Sequence, residues 1–480
     1  MKNSDTSIKK NALLNVCRQA CTIVFPFLTF SYASHALGAE KLGQYTFAQS
    51  IVSYFACFSA LGISDYAVRE AAPLRDDSKK LKKFADEVFS IQLLLSALSY
   101  AALFLLLGLW GKLHPYRDVI LILSIQIVLA AVGADWINTA FEDFSYLAVR
   151  YLATASICTA AIFYLVNGPQ DVYWYTLFSM LCIAGGNVWN VFYIRRYVKL
   201  GLTMRLNVRT HLPPILMLFF NSMALVIYLN SDITILGIYA DDAAVGTYSV
   251  ATKIYLMAKA LINAVILPAV PKLSQIAAEK KEDGDEMLSG MANFLCMLLI
   301  PAAVGIFFEA KNLIWFVGGS GYLEGTAVLR IYSVTILLAV GSCFFSYAVL
   351  VPFHMEKYFL LSTVMAAVIN IGTNLWLIPR LGMCAAALTT LLAELTVYIV
   401  TSFYAKKEAG VKILINKKDI WIDLAGGAAI GAVCFAVKQF GLSHALELGA
   451  SIVLAVAAYS GVLLGMKNQT FLVLLKSVTG

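Results

Sequence analysis

The feature that most constrains this chain is a series of fourteen long apolar segments with basic residues concentrated on one side. A helix needs about 20 apolar residues to cross a bilayer, and each segment is of roughly that length. The even-numbered connections and the two tails hold 26 Lys and Arg residues, whereas the odd-numbered connections hold 6. Because basic residues accumulate in cytoplasmic loops, this asymmetry predicts an all-α polytopic membrane protein with both termini in the cytoplasm. The segments cover residues 11–37, 43–64, 84–110, 117–139, 145–166, 172–194, 210–230, 246–270, 287–308, 325–351, 357–378, 381–404, 419–437 and 443–466.

Composition excludes several classes of protein. Hydrophobic residues make up 60% of the chain and charged residues 14%, and the connections leave no room for a soluble catalytic domain. The net charge of +7 lies mostly on the predicted cytoplasmic face. There it indicates attraction to anionic membrane lipids rather than to nucleic acid. The nine cysteines lie within apolar segments without the paired spacing of a zinc site, so we expect neither a metal nor a cofactor.

An internal repeat indicates how the segments are organised. The turns before the second and eighth segments match at an offset of 203 residues, so six segments separate the two copies. An even number gives both copies the same membrane orientation, as in transporters built from parallel repeats. We therefore predict six-helix bundles over residues 1–200 and 201–405, followed by two additional helices over residues 406–480. The matching pairs are Gly43 and Gly246, Tyr45 and Tyr248, Ala48 and Ala251, and Ile51 and Ile254.

Four basic residues lie inside apolar segments: Arg18, Lys253, Lys259 and Arg330. A charge in hydrocarbon costs at least ~2.5–3.5 kcal/mol on insertion scales, so each of these residues needs a reason to be there. One interpretation is that they line a polar cavity that receives an anionic substrate. The alternative is that each side chain reaches the interface or pairs with a neighbouring acid.

Acidic residues give two further sets of candidates. Glu394 in the twelfth segment and Asp135 at the inner end of the fourth are candidate sites for a coupling H⁺ or Na⁺. For Glu394 the alternative is a structural pair with a buried lysine. Asp65, Arg69 and Glu70 follow the second segment and are candidates for a cytoplasmic gate.

Two pairs of asparagines have helical spacing within predicted spans, Asn187 with Asn190 and Asn370 with Asn374. Such a stripe suits a sugar-binding surface. Hydrogen bonds between helices explain the same spacing equally well, because amide side chains join membrane helices.

Five stretches of the chain carry a family resemblance: residues 10–15, 37–45, 47–54, 61–70 and 379–394. They resemble the polysaccharide transporter family, the O-antigen and capsule repeat-unit flippases of the multidrug/oligosaccharidyl-lipid/polysaccharide (MOP) exporter superfamily. One departure is Cys384, where the family usually has a glycine. The resemblance implies fourteen helices and transfer of undecaprenyl-pyrophosphate-linked oligosaccharides from the inner to the outer leaflet of the cytoplasmic membrane. It also implies a lipid-linked oligosaccharide as partner and a polysaccharide polymerase nearby, without an ATPase.

For such a substrate, the sequence favours Arg18 and Lys253 as pyrophosphate partners, because they lie in the first and eighth helices. Lys259 and Arg330 are further candidates for the cavity. An alternative function is export of drugs coupled to a cation, which the four intramembrane bases disfavour for cationic drugs. A membrane polymerase or ligase would need a longer outer loop, so we expect no enzyme activity.

The topology is directly testable with a reporter enzyme that is active only outside the cytoplasm. Fusions within residues 271–286 and 405–418 should be inactive, and fusions within residues 231–245 and 309–324 should be active, because basic loops are retained inside. Activity in the first pair would reverse the predicted orientation.

Overall fold

A computed structural model shows α-helices throughout, and the described residues contain no β-strand. The prediction of an all-α polytopic membrane protein is therefore confirmed. The structure describes the backbone of residues 2–204, 206–264, 266–279 and 283–479. Within these ranges it describes the side chains except those of residues 2–20, 208–210, 217–218, 221, 267, 271, 277–279, 283 and 477–479.

Twelve stretches of the described residues are long and apolar enough to span a membrane. The first, Cys21–Leu74, contains two predicted segments, because Gly38 breaks the helix at φ +75°. Glycine adopts this conformation without a Cβ clash. The eighth predicted segment forms Asp242–Asn263, which is outside the twelve because Lys253 and Lys259 lower its hydropathy. All fourteen predicted segments thus correspond to helical stretches.

The chain divides into two compact units. The first is Met1–Gly237, which ends inside its last helix. Its helices are α1 (Lys2–Ala60), α2 (Ile63–Ala71), α3 (Ser78–Leu109), α4 (Arg117–Gly133), α5 (Asp135–Ala140), α6 (Phe144–Leu165), α7 (Val172–Ala184), α8 (Gly186–Tyr193) and α9 (Val208–Tyr239).

The second unit is Ile238–Gly480. Between α13 and α14 it contains a π-helix, Phe344–Leu350. Its other helices are α10 (Asp242–Asn263), α11 (Val270–Glu279), α12 (Asp283–Gly318), α13 (Thr326–Cys343), α14 (Glu356–Leu381), α15 (Met383–Lys407), α16 (Lys417–Lys438), α17 (His444–Gly465) and α18 (Gln469–Thr479).

Aspartate side chains begin several helices by accepting hydrogen bonds from backbone N–H groups that the first turn leaves unpaired. Asp241 accepts from Ala244 N at 2.7 Å, and Asp77 accepts from Lys80 N at 3.0 Å. At Asp77, which lies in the connection before α3, the bond from the Lys80 backbone lowers the pKa of the carboxyl. These caps fix where the long helices start.

The last helices pack within the second unit. Helices α16 and α17 contact each other and α12, and α18 contacts α12. Asp419 of α16 binds the start of α18, because its carboxylate accepts from Gln469 N at 3.1 Å and from Thr470 N at 3.0 Å. The predicted division into six, six and two helices remains a prediction.

The Asp419 cap generates a test of the fold. Asp419→Ala should destabilise α18 locally by about 0.5–2 kcal/mol, because two backbone donors lose their acceptor. Hydrogen exchange at residues 469–476 should accelerate while exchange in α12 stays unchanged. Asp419→Asn, which keeps one acceptor oxygen, is the matched control. Its hydrogen-exchange rate at residues 469–476 should lie between those of the wild type and Asp419→Ala. Unchanged exchange in the alanine variant would contradict the capping role.

Candidate functional site

The second unit contains an ion pair between two of the predicted site residues. Lys259 Nζ of α10 lies 2.7 Å from Glu394 Oε1 of α15. The Lys259 side chain is 20% exposed and that of Glu394 is 5% exposed, so this pair is largely removed from solvent. A carboxylate inside a predicted membrane helix is stabilised by such a partner. The geometry therefore matches the alternative reading of Glu394, a pair with a buried lysine.

Glu394 receives further hydrogen bonds, and these cover both of its carboxylate oxygens. The Tyr255 hydroxyl donates to Oε1 at 3.3 Å, and the Ser342 hydroxyl donates to Oε2 at 3.3 Å. Tyr255 also stacks on Tyr332 of α13 with ring centroids 4.6 Å apart. Helices α10, α13 and α15 thus meet around one carboxylate.

A π-helix follows α13 next to this site. Its first residue, Phe344, directly follows Cys343, whose sulfur accepts from Asn263 Nδ2 at 3.3 Å. A π-helix contains i→i+5 bonds, and the bond from Val351 N to Ser346 O, 2.9 Å long, is of this kind. Short π-helical segments occur mostly where function requires an irregular helix. We refer to Tyr255, Lys259, Ser342 and Glu394 as the Lys–Glu site.

The other predicted basic residues have different surroundings. Lys253 is half-buried on α10, six residues before Lys259. Arg330 is exposed, and its guanidinium lies 5.5 Å from the centre of the Phe307 ring. The side chain of Arg18 lies outside the described residues. The structure therefore brings Lys259 and Glu394 together, and it leaves the roles of Arg18, Lys253 and Arg330 as predictions.

Asp135 lies in a separate pair in the first unit. It starts α5 and accepts two bonds from Arg150 of α6, at 2.8 and 2.6 Å. The Arg150 side chain is only 10% exposed. The sequence analysis missed Arg150 because it lies six residues into the fifth segment and was counted with the connection before it. A bidentate pair of this kind holds both groups in a fixed geometry.

The candidate gate residues occupy one face of the short helix α2. Asp65, Arg69 and Glu70 are exposed, and Arg69 Nε lies 3.0 Å from Glu70 Oε1. Exposed pairs of this type contribute about 0–1 kcal/mol to stability. The opposite face of α2 is buried through Ile63 and Tyr66, so α2 is amphipathic. A role as a gate remains a prediction.

The asparagine stripes form hydrogen bonds between helices and within them. Asn190 is buried, and its amide donates to Gly133 O at 2.6 Å and to Asn138 Oδ1 at 2.8 Å. Asn374 donates to Asn370 Oδ1 at 3.0 Å and accepts from Thr389 of the neighbouring helix α15. Of the two readings, the structure matches joining of helices.

One cluster was missed by the sequence analysis. Glu87 of α3, His211 of α9 and Tyr66 of α2 are buried and form a continuous hydrogen-bonded chain. Glu87 is the fourth residue of the third apolar segment, and His211 is the second residue of the seventh. The signal that could have found it is a carboxylate and a histidine, both at the same end of predicted spans.

Among the residues with described side chains, no three His, Cys, Asp or Glu residues come together as metal ligands. The described groups of the Lys–Glu site are an ammonium, a carboxylate and two hydroxyls.

Comparison with known proteins gives a family match and a curated relative. A family model described as polysaccharide biosynthesis protein matches residues 8–277, which is more than half of the chain. The chain is 22% identical over 238 residues to the probable low-salt glycan biosynthesis flippase Agl15 of Haloferax volcanii. That match covers 48% of each protein, so the chain spans about half the length of the curated relative it matches.

Solved structures show the same fold. The lipid II flippase MurJ, in an inward closed conformation, has a TM-score of 0.72 at 17% identity, covering 94% of this chain and 98% of that one. A MATE transporter in complex with MaL6 has a TM-score of 0.52 at 14% identity, covering 82% and 96%. A MOP superfamily transporter from Pyrococcus furiosus also has a TM-score of 0.52, at 13% identity and covering 83% and 94%. These identities establish the fold alone.

The Lys–Glu site generates a stability prediction. Glu394→Leu should destabilise the protein by about 3–5 kcal/mol, because removal of one partner leaves a buried charge uncompensated. The double variant Lys259→Met with Glu394→Leu should recover much of that loss. A thermal unfolding series on purified protein measures both. The exposed pair Arg69–Glu70 is the matched control. Single and double variants of this pair should give a coupling free energy of about 0–1 kcal/mol between its two side chains. Equal coupling in the two pairs would contradict the burial argument.

Proposed function

The chain belongs to the polysaccharide biosynthesis protein family, and from this premise we propose that it is a flippase for lipid-linked oligosaccharides. In this proposal it moves undecaprenyl-pyrophosphate-linked repeat units from the inner to the outer leaflet by alternating access. A curated relative named as a glycan biosynthesis flippase and a solved flippase of the same fold support the substrate class. The observation that carries the proposal is the Lys–Glu site, a largely buried ion pair between helices α10 and α15.

Such a substrate has an anionic pyrophosphate, a hydroxyl-rich sugar and a long apolar tail. The pyrophosphate needs a cation inside the membrane, and α10 supplies Lys253 and Lys259. Lysine binds phosphate as a point charge on a flexible stem, so it can change partners without a change in the helix. Arg18, in the first predicted segment, is the second proposed partner of a pyrophosphate.

Glu394 acts as the resting partner of Lys259 in this mechanism. An approaching pyrophosphate carries more negative charge than one carboxylate, so it competes for the ammonium at 2.7 Å from Glu394. When Lys259 turns to the phosphate, Tyr255 and Ser342 still donate to Glu394. When the headgroup leaves, the ion pair forms again. The pair is therefore neutral without substrate, and with substrate Lys259 offsets one negative charge of the pyrophosphate.

Alternating access requires helices that bend. Pro26 lies within α1, and Pro213 and Pro214 lie within α9. A proline removes one backbone hydrogen bond and separates the turns on either side. The prolines lie in the first and seventh predicted segments, which the repeat makes equivalent. We assign them as bending points.

The cellular setting is part of the same proposal. The basic connections place both termini in the cytoplasm, and the substrate class places the protein in the cytoplasmic membrane. The polymerase machinery that joins repeat units would act on the product at the outer leaflet. O-antigen and capsule units are the expected cargo.

A cation-coupled multidrug exporter is the second candidate, because a MATE transporter has the same fold. A cationic drug would meet the ammonium of Lys253 on α10, and like charges repel. An assay with a cationic dye separates the two functions: the flippase account expects no dye export under conditions where oligosaccharide export is normal.

Neutralisation of the cations tests the proposed site. Lys253→Gln and Arg18→Gln should each reduce export of the lipid-linked oligosaccharide at least about tenfold, because loss of one ionic contact costs roughly 1.5–3 kcal/mol. Export is measured as surface polysaccharide in a strain that lacks the native gene. Membrane insertion, measured by the amount of protein in the membrane fraction, should be unchanged.

Arg380→Gln is the control for loss of one positive charge, since Arg380 is exposed and packs over Trp376. It should export normally. Normal export in both the Lys253 and Arg18 variants would remove these residues from the substrate site.

A further inference from the structure

The buried cluster of the first unit has the geometry of a proton-binding site. His211 Nε2 lies 2.8 Å from Glu87 Oε2, and His211 Nδ1 lies 2.6 Å from the Tyr66 hydroxyl. The three residues are 5%, 7% and 3% exposed, in the order His211, Glu87, Tyr66. Each residue comes from a different helix. Both ring nitrogens of the histidine therefore have a protein partner.

The surroundings of this Glu–His–Tyr cluster are apolar. The Phe84 ring lies 5.7 Å from the His211 ring and 6.1 Å from that of Trp136. The same apolar core includes Ile215 of α9 and Val88 of α3. An unpaired charge is expensive in such an environment. The cluster is consequently stable only in protonation states whose charges cancel.

The number of protons shared by Glu87 and His211 sets the net charge of the cluster. With two protons shared between the carboxyl group and the imidazole, the pair is neutral, either as carboxylate with imidazolium or as two uncharged groups. With one proton, a carboxylate faces a neutral ring and the cluster carries a net buried charge. The neutral state suits the apolar core, whereas the charged state suits contact with water.

The nearby charged groups already have partners. On α2, Arg69 and Glu70 pair with each other at 3.0 Å. On α3, Lys82 and Asp86 pair at 2.9 Å, and at α5, Asp135 is held by Arg150. Lys83 of α3 is exposed, and the side chain of Arg209 on α9 lies outside the described residues. Among the described side chains, the ion-pair partner of Glu87 is His211, at 2.8 Å.

The position of the cluster couples it to movement of α9. This helix follows the basic connection 195–209, and His211 joins its first turn to α2 and α3. Loss of the shared proton would leave a buried negative charge where α9 contacts both helices. Separation of these helices, with entry of water, relieves that charge. The cluster is thus a two-state element of the kind that links a ligand to a conformational change.

We infer that Glu87, His211 and Tyr66 bind the proton that drives transport, and that loading and release of this proton switch the first unit between two conformations. The inference rests on the proposed function for the cargo, and it adds the coupling ion. It favours Glu87 over the sequence-based candidates Glu394 and Asp135, because those carboxylates are held by Lys259 and Arg150.

The first experiment measures proton binding without any cargo. Full-length protein in nanodiscs is titrated across roughly pH 5–8, the range in which histidine changes charge, with a pH-indicator dye in weak buffer. The wild type should take up about one proton more per chain than Glu87→Gln. In that variant, an imidazolium at His211 would be buried without a counter-charge. Asp86→Asn, one residue away, is the control and should behave as the wild type over this range.

The second experiment measures coupling in vesicles that contain undecaprenyl-pyrophosphate-linked oligosaccharide. An imposed pH gradient should drive net export by the wild type, up to an equilibrium concentration ratio of about tenfold per pH unit if one proton is coupled to each cargo. Export by Glu87→Gln and His211→Asn should not respond to the gradient. Tyr66→Phe removes the hydroxyl but keeps the ring and the fold. It should shift the pH midpoint of proton uptake, whereas its oligosaccharide export should still respond to the pH gradient.

Three outcomes distinguish a failure of the proposed proton site from a failure of the proposed cargo. Equal proton uptake by wild type and Glu87→Gln, with a full gradient response in the variant, overturns the inference. Reduced uptake in Glu87→Gln with no oligosaccharide export by the wild type supports the proton site and refutes the proposed cargo. If Glu87→Gln does not fold, an unshifted pH midpoint in Tyr66→Phe overturns the inference by itself.

Discussion

The bilayer interior offers no water to charged groups, and this constraint determines how the helices of this protein are held together. Each buried charge must find its partner in another helix. Lys259 and Glu394 join α10 to α15, and His211 joins α9 to α2 and α3. Because apolar surfaces gain little by packing in lipid, such polar contacts specify which helices meet. The same contacts are the groups that a charged cargo or a proton can rearrange.

The sequence predicted the helices well and their polar partners poorly. Membrane segments follow from local hydropathy, so all fourteen could be found, including the two that Gly38 separates within α1. The sequence also identified Lys259 and Glu394 as unusual, but their pairing joins residues 135 positions apart, which no local pattern reveals. Arg150 and Glu87 were missed because they lie close to segment ends, where a side chain is readily assigned to the interface.

Family membership and the local chemistry support different parts of the account. The proposed lipid-linked cargo is argued from family membership, and the proposed contact with its anionic headgroup is argued from Lys259 of the Lys–Glu site. The Glu–His–Tyr cluster lies in the first unit and the Lys–Glu site in the second. If both act in one cycle, thermodynamic linkage requires that proton and cargo each change the affinity for the other by the same factor.

The central claim is that this chain moves an undecaprenyl-linked oligosaccharide across the membrane. The most direct measurement is the leaflet distribution of that intermediate in a strain that makes the repeat unit but lacks this gene. The account predicts that the intermediate accumulates on the cytoplasmic leaflet and that expression of this chain relieves the accumulation. Normal appearance of the intermediate on the outer leaflet without this chain, together with increased drug sensitivity, would contradict the account and assign the protein to small-molecule export.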